Sequence, residues 1–329
     1  MKKYLRHISI ALVSFAVVLI VNFALPRLMP GDPVQMLTGI DSDILSAELY
    51  DKYYTELGLD LPLIQQFGKY LSDVFGGSLG YSYRYERTVA SLVAESLPAT
   101  LQMVIPAVLL STLLAMWLAL LSARRPHGKF DGTMTGLSAA LNAVPSFLVA
   151  MTLVIIFAYK LGWLPYGNLN SPDAEIGTFA GFIDRIKHLI LPVLSLVIVT
   201  TPPKYLLLRN NAASAVNEKY MVYAEVKGLS PSRVSLVHLF PNVGQPFITM
   251  TGMNLGSLLG GSVIIETIFS VNGMGLLMSR AISALDYPVL QGCLTVISAI
   301  VITVTIAVDL LLAVADPKIR RNKAHESSL

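Results

Sequence analysis

The sequence has little charge: 14% of its 329 residues are Asp, Glu, Lys or Arg, against about 25% in an ordinary soluble domain. A single cysteine, Cys293, excludes an intrachain disulfide and a multi-cysteine metal centre. No G-x-x-x-x-G-K-[ST] run occurs, so the chain cannot cradle ATP by that loop. The histidines His7, His127, His188, His238 and His325 are scattered without metal-ligand spacing. What the chain has in excess is apolar, with 54% hydrophobic residues and a mean hydropathy of +0.62. No soluble core absorbs such an excess, and a disordered or nucleic-acid-binding chain needs the opposite bias. A net charge of +3 is too small to argue for an anionic partner. The chain reads as an integral membrane protein.

Crossing about 30 Å of hydrocarbon takes about 20 helical residues. Six apolar runs approach or exceed that length: Ile8 to Leu25, Leu97 to Ala123, Met134 to Tyr159, Leu189 to Leu208, Val243 to Ile265 and Val289 to Ala313. They are continuous in Leu, Val, Ile and Ala rather than alternating, which makes the bundle helical and not a barrel. Lys204 and Asp309 lie near the ends of the fourth and sixth runs, where a charged side chain can still reach water. The first run follows Lys2, Lys3 and Arg6 but is longer than a signal-peptide core and is not followed by an A-x-A site, so it reads as a retained anchor.

Basic residues set the orientation. With the N-terminus inside, the inner intervals hold Lys2, Lys3 and Arg6, then Arg124, Arg125 and Lys129, then Lys204, Arg209, Lys219, Lys227 and Arg233, then Lys318, Arg320, Arg321 and Lys323. The two short outer loops hold only Lys160, Arg185, Lys187 and Arg280. That asymmetry predicts two cytoplasmic termini. The expected organisation is an N-terminus and first span in 1–29, an outer segment in 30–96, a five-span core in 97–316 containing an inner loop at 210–242, and a tail in 317–329.

The outer segment is too long for a simple connector. It reads as two short helices: one capped by Ser42 or Asp43, with Leu45, Leu49, Tyr53 and Leu57 on one side and Gly58 as its stop, and one capped by Asp60 with Pro62 in its first turn. The second carries Ile64, Phe67, Leu71 and Val74 at helical spacing before Gly76-Gly77. Gly76 to Gly80 fits G-x-S-x-G, but the nucleophile elbow needs a preceding strand, and what precedes it reads as helix. The inner loop also reads as two short helices, one stopping at Gly228 and one starting at Ser230-Pro231 and ending at Pro241. In the fifth run, Gly252, Gly256 and Gly260 share one helical face with Gly244, so another helix backbone can approach closely there, within the chain or at the pore and a second subunit. Asp309 and Glu266 are peripheral and read as structurally paired, which leaves little support for an intramembrane proton relay.

The inner loop resembles a family feature. Ala224, Gly228 and Pro241 keep the frame of the E-A-A, three residues, G, nine residues, I-x-L-P loop of permease subunits in binding-protein-dependent ABC importers, while Val222, Tyr223 and Phe240 depart from it. The chain resembles the peptide and nickel branch through Pro30-Gly31-Asp32-Pro33, Leu57-Gly58-Leu59-Asp60, Gly80-Tyr81-Ser82, Leu97-Pro98-Ala99-Thr100, Ala224-x-x-Lys227-Gly228-Leu229-Ser230, Ile265-Glu266-x-Ile268-Phe269, Gly273-Met274-Gly275, Asp286-Tyr287-Pro288 and Asp316-Pro317-x-x-Arg320.

The resemblance implies an all-α polytopic protein of six transmembrane helices, with the type I importer permease fold and a small helical extracytoplasmic segment after the first. It implies a non-catalytic subunit that binds no cofactor, ATP and Mg being held by two partner ATPases. The other partners are a homologous second permease, an extracytoplasmic substrate-binding protein and membrane lipid, with no nucleic acid. Tyr223, Ala224, Glu225, Lys227, Gly228, Leu229, Ser230 and Pro241 would form the coupling element, and the cargo would be a peptide, nickel chelate or related small solute crossing a bacterial or archaeal inner membrane. The alternatives are an ion-driven secondary transporter, for which no internal repeat is visible, and a membrane receptor or scaffold, which needs no coupling knob.

Overall fold

The computed structural model describes residues 2–28, 32–38, 44–216, 218–230 and 233–315. In chain order the elements are α1 Lys2–Leu28, α2 Pro33–Thr38, α3 Ala47–Glu56, α4 Leu63–Phe75, a ribbon of β1 Tyr81–Ser82 and β2 Arg87–Thr88, and α5 Val89–Ala123. Then come α6 Lys129–Asn142, α7 Ser146–Leu153 continuing as a π turn Val154–Lys160, α8 Phe179–Ala215 and α9 Lys219–Val226. A π segment Val234–Leu239 leads into α10 Phe240–Val243, followed by α11 Gln245–Gly261, α12 Val263–Ile268, α13 Met274–Ser283 and α14 Tyr287–Ala315.

Among the described residues, three helices are long and apolar enough to cross a membrane: Ser9–Leu28 within α1, all of α5, and Tyr287–Val308 within α14. Their outward faces carry Leu12, Val13, Leu110, Leu113 and Trp117, each more than half exposed, as helices solvated by lipid require. The expected third span is not one rod. It bends by 99° between α6 and α7, because Pro145 stands in an extended conformation and disfavours helix at Val144. The expected fifth span is likewise split, at Ser262 between α11 and α12. The fourth lies inside α8, which runs through Pro192, Pro202 and Pro203 to Ala215. Lys204 is therefore not near a helix end. It is fully buried, its ammonium donating to Ser111 Oγ at 2.8 Å and Thr112 Oγ1 at 3.1 Å, where the sequence placed it within reach of water.

The chain divides into two compact units, Met1–Leu101 with Leu259–Thr303, and Gln102–Leu258 with Val304–Leu329. In the first, α4 lies on α1 through Phe23 and Phe67, whose rings are 5.0 Å apart, while Arg27 stacks on Phe23 and donates twice to Gln66 Oε1. Asn22 of α1 donates to Thr295 Oγ1 of α14 at 3.1 Å. The outer helices form where expected, but their caps differ. Ser46 accepts from Leu49 N at the start of α3, whereas Ser42 and Asp43 lie outside the described residues, and Pro62 itself is the N-cap of α4 in place of Asp60. Of the α4 stripe, Phe67, Leu71 and Val74 are half-buried and Ile64 is exposed. In the second unit α6 and α7 pack on α8, and a core of Ala115, Ala119, Tyr205, Leu208 and Phe247 closes around the inner loop.

Candidate functional site

The inner loop is a two-faced element. Met221, Ala224, Val234 and Leu239 point into the core, and burying each larger side chain contributes about 1.5–3 kcal/mol. The opposite face presents Tyr223 at 69% exposure and Val226 at 80%, with Lys227, Gly228 and Ser230 also exposed and Leu229 half-buried. Alanine at 224 is the small side chain that lets α9 sit close. The helix stops as expected: Lys227 N donates to Tyr223 O, and Gly228 takes φ +68°, a left-handed conformation that costs an L residue about 1 kcal/mol. A Cβ there would meet nothing within 4 Å, so the glycine is required by backbone conformation and not by crowding. Pro241 does not end the second helix: it occupies the first turn of α10, which runs on to Val243, since a proline's missing N–H costs nothing there. Pro231 and the side chains of Val222 and Glu225 lie outside the described residues.

The inner face is anchored by Asp131, which accepts from His127 N at 2.8 Å and pairs with Arg209 of α8. Tyr205 OH and Ser122 Oγ meet at 2.8 Å beside it.

The first unit holds two carboxylate clasps built from scattered sequence pieces. Glu266 is fully buried and surrounded by neutral donors: Thr100 Oγ1 and Ser262 Oγ donate to Oε1, both at 2.7 Å, and Leu276 N donates to Oε2 at 2.8 Å. Met274 N in turn donates to Thr100 Oγ1. Leu276 is in the first turn of α13, so the carboxylate sits at the positive end of a helix, which favours its charge where no salt bridge to it forms among the described residues. Gly273 and Gly275 make the room. A Cβ at 273 would stand 2.5 Å from both Glu266 Cδ and Thr100 Oγ1.

In the second clasp Ser82 Oγ donates to Asp286 Oδ2 at 2.5 Å while Val289 N donates to Oδ1 at 3.3 Å, so Asp286 caps α14 and ties it to the β ribbon. Burial raises the Asp286 pKa, opposed in part by the Ser82 hydroxyl and the Val289 amide.

Residues 111–321 match the family described as binding-protein-dependent transport system inner membrane component, and residues 1–104 match the corresponding N-terminal family, binding-prot-dependent transport system membrane comp, N-term. The chain belongs to this family. It is an ABC importer permease. It is 31% identical over 332 residues to the Di/tripeptide transport system permease protein DppB of Pseudomonas aeruginosa, covering 97% of this chain and 98% of that one. Against the Dipeptide transport system permease protein DppB of Escherichia coli it is 30% identical over 336 residues, with 97% and 98% covered. A putative peptide transport system permease protein of Brucella abortus is 31% identical over 317 residues, with 96% and 98% covered.

The permease is thus a multi-pass inner-membrane protein working with a substrate-binding protein and an ATPase. Its glycine face is unevenly used. Gly252 is pressed against α14, where an added Cβ would lie 2.5 Å from Val308 Cγ2, Gly256 is buried, and Gly260 is exposed with only Ile297 nearby at 3.9 Å. Gly244 precedes α11 and is not on that face.

A third polar cluster, not anticipated from sequence, pins 167–171 to α8 of the permease. Ser171 donates from N and Oγ to Asp184 at 2.8 and 2.7 Å, His188 Nδ1 meets Gly167 O at 2.7 Å, and Arg185 Nη1 donates to Asn170 Oδ1 at 2.8 Å. The Ser171 hydroxyl donates to the Asp184 carboxylate and also lies 3.2 Å from His188 Nε2, but Nδ1 faces the Gly167 and Asn168 carbonyls and not a carboxylate, which is not the order of a nucleophilic triad. The partners of Glu266 were also missed. Thr100, Glu266 and Gly273 each stood in a quoted motif, but no local spacing joins positions so far apart in the chain. Among the described residues no group of three or more His, Cys, Asp or Glu could hold a metal.

Proposed function

We propose that this permease forms half of the translocation pathway for a short peptide, beside a homologous second permease, two cytoplasmic ATPases holding ATP and Mg, and an extracytoplasmic binding protein. Six spans place both termini in the cytoplasm of a bacterium or archaeon, with the helical segment of 30–96 outside. The peptide is taken over a nickel chelate or opine because the relatives above are named for peptides.

The observation that carries the reading is the two-faced inner loop. Its buried side ties it to α5, α8 and α11, and its exposed side offers Tyr223, Val226 and Lys227 to a partner. A load applied to that face is transmitted to the helices instead of being absorbed by the loop. Alternating access follows when each state binds its partners with different free energy, and moving from 1:99 to 99:1 occupancy takes about 5.5 kcal/mol. The Gly252 face, packed on Val308 at one end and open at Gly260, supports close helix approach both within the chain and toward the second permease.

The test is a mild-detergent pull-down of the tagged chain from its native membrane, with identification of co-purifying subunits and an ATPase assay. Recovery of ATPases and a second permease, with ATPase stimulated by the peptide-loaded binding protein, is the expected result. A chain that purifies alone and takes up solute on an ion gradient overturns the proposal.

A further inference from the structure

We propose that the second unit carries a binding site for an anionic phospholipid at the inner ends of α5 and α6. The proposal rests on the orientation given above, which puts those ends at the cytoplasmic membrane surface. Two adjoining hollows carry it. The larger, about 920 Å3, has Arg124, Arg125 and Lys129 around it and Leu121, Met221 and Leu239 among its apolar walls. The smaller, about 290 Å3, continues from it through the shared Leu121, Arg124 and Ser235 and runs along α5 past Met116, Trp117 and Leu236.

Part of the charge in the larger hollow has no acidic partner among the described residues. Its acidic lining residue, Asp131, is committed to Arg209, and among the described residues neither Arg125 nor Lys129 forms an ion pair. The smaller hollow has the opposite character. Trp117 is 59% exposed and Leu236 52%, on an uncovered apolar face that the proposal assigns to lipid. A charged chamber opening into an apolar groove, at the level where a bilayer changes from headgroup to hydrocarbon, matches a ligand with a phosphate at one end and an acyl chain at the other. Free phosphate uses the chamber and leaves the groove empty. An acidic loop of the ATPase has no use for a groove on the lipid-facing side of a span.

The larger hollow is also walled by the inner loop, through Met221, Leu229 and Val234. A seated lipid therefore touches the coupling element from behind, on the side opposite Tyr223 and Val226.

The experiment measures lipid carried through purification of the full complex, by mass spectrometry, after exchange into nanodiscs of equal phosphatidylglycerol and phosphatidylcholine. Wild type retains phosphatidylglycerol in preference by about tenfold, and R125A/K129A loses the preference, as removal of two cations at a membrane surface dictates. Both residues are exposed, and an unchanged unfolding midpoint confirms that the variant folds. Arg125→Lys with Lys129→Arg keeps the preference.

Equal retention of both lipids by wild type overturns the proposal, as does an unaltered preference in R125A/K129A. Displacement of the lipid by excess inorganic phosphate makes the chamber a simple anion site and overturns it too. Retention by the isolated chain but not by the ATPase-bound complex assigns the hollow to the ATPase and does the same. The readout is lipid and not transport, so it remains legible if the importer reading fails.

Discussion

The inner loop and the Glu266 clasp are both assembled from family motifs, yet they are stabilised in opposite ways. The loop is held by apolar side chains on one face and by one left-handed glycine, and its motif residues are largely exposed. The clasp is held by hydrogen bonds around a fully buried carboxylate, and its glycines are there because neighbouring atoms leave no room for a Cβ. One element leaves its motif residues exposed, as the proposed coupling role requires, and the other keeps α5, α12 and α13 in register. Substitutions should therefore separate them: clasp variants lose stability, and loop variants lose coupling while staying folded.

The largest effect is expected at Glu266. Glu266→Ala leaves the Thr100 and Ser262 hydroxyls and the Leu276 amide without their acceptor, and each orphaned buried donor costs about 1–3 kcal/mol. The detergent-solubilised protein should lose on the order of 3 kcal/mol or more, read as a fall in unfolding midpoint. Glu266→Gln should lose less, because one amide oxygen still accepts while its NH2 faces a donor. Gly273→Ala sharpens the point from the other side, forcing a Cβ against Glu266 Cδ and Thr100 Oγ1 at a cost of about 1–3 kcal/mol. Equal stability of all three variants would remove the clasp from the account of the fold.

At the loop the same measurement should barely move. Gly228→Ala costs about 1 kcal/mol of backbone strain and meets no neighbour, and Val226→Asp changes an exposed position. Both should retain the wild-type midpoint within about 1 kcal/mol while lowering substrate-stimulated ATPase and transport. Gly228→Pro should abolish transport. A Gly228→Pro permease with full stimulated ATPase and transport would sink the coupling assignment.

The sequence made this division only half legible. Helical stops at Gly58, Gly76 and Gly228 were readable because a left-handed or terminating glycine is a local signal, and so was the loop's first helix, whereas the second runs past Pro241 to Val243. The runs around α1, α5 and α14 were readable from length and hydropathy alone. The bend at Pro145 has a local signal, a proline disfavouring helix at the residue before it, but the apolar runs continue past both Pro145 and Ser262 and read as single spans. Burial of Lys204 was missed for a related reason: the apolar run stops at Leu208, but the helix continues to Ala215 and carries the lysine inside. The clasp contacts are long-range, joining Thr100 to Glu266 and Ser82 to Asp286, and a motif reading gives only their order along the chain.

The smallest effects concern pH, and they set two carboxylates with opposite pKa shifts, Asp286 and Asp184, against each other. Burial raises the Asp286 pKa, so the folded state holds that proton more tightly than the unfolded state does, and its contribution to stability falls as pH rises through the window above the ordinary value of 3.8. Asp184 behaves in reverse. The Ser171 hydroxyl, then the Ser171 amide, lower its pKa, so its contribution is present above 3.8 and is lost as pH falls below it. Amide hydrogen exchange resolves the two. Protection at Ser171 should weaken on acidification below about 3.8 and become insensitive to acid in Asp184→Asn. Protection at Val289 should hold or strengthen over the same interval, and Asp286→Asn, which keeps an acceptor for Ser82, should be tolerated at neutral pH. If both amides lose protection together on acidification, the Asp286 clasp and the Asp184 pin are not electrostatically distinct, and Asp286 holds α14 as an ordinary ionised cap.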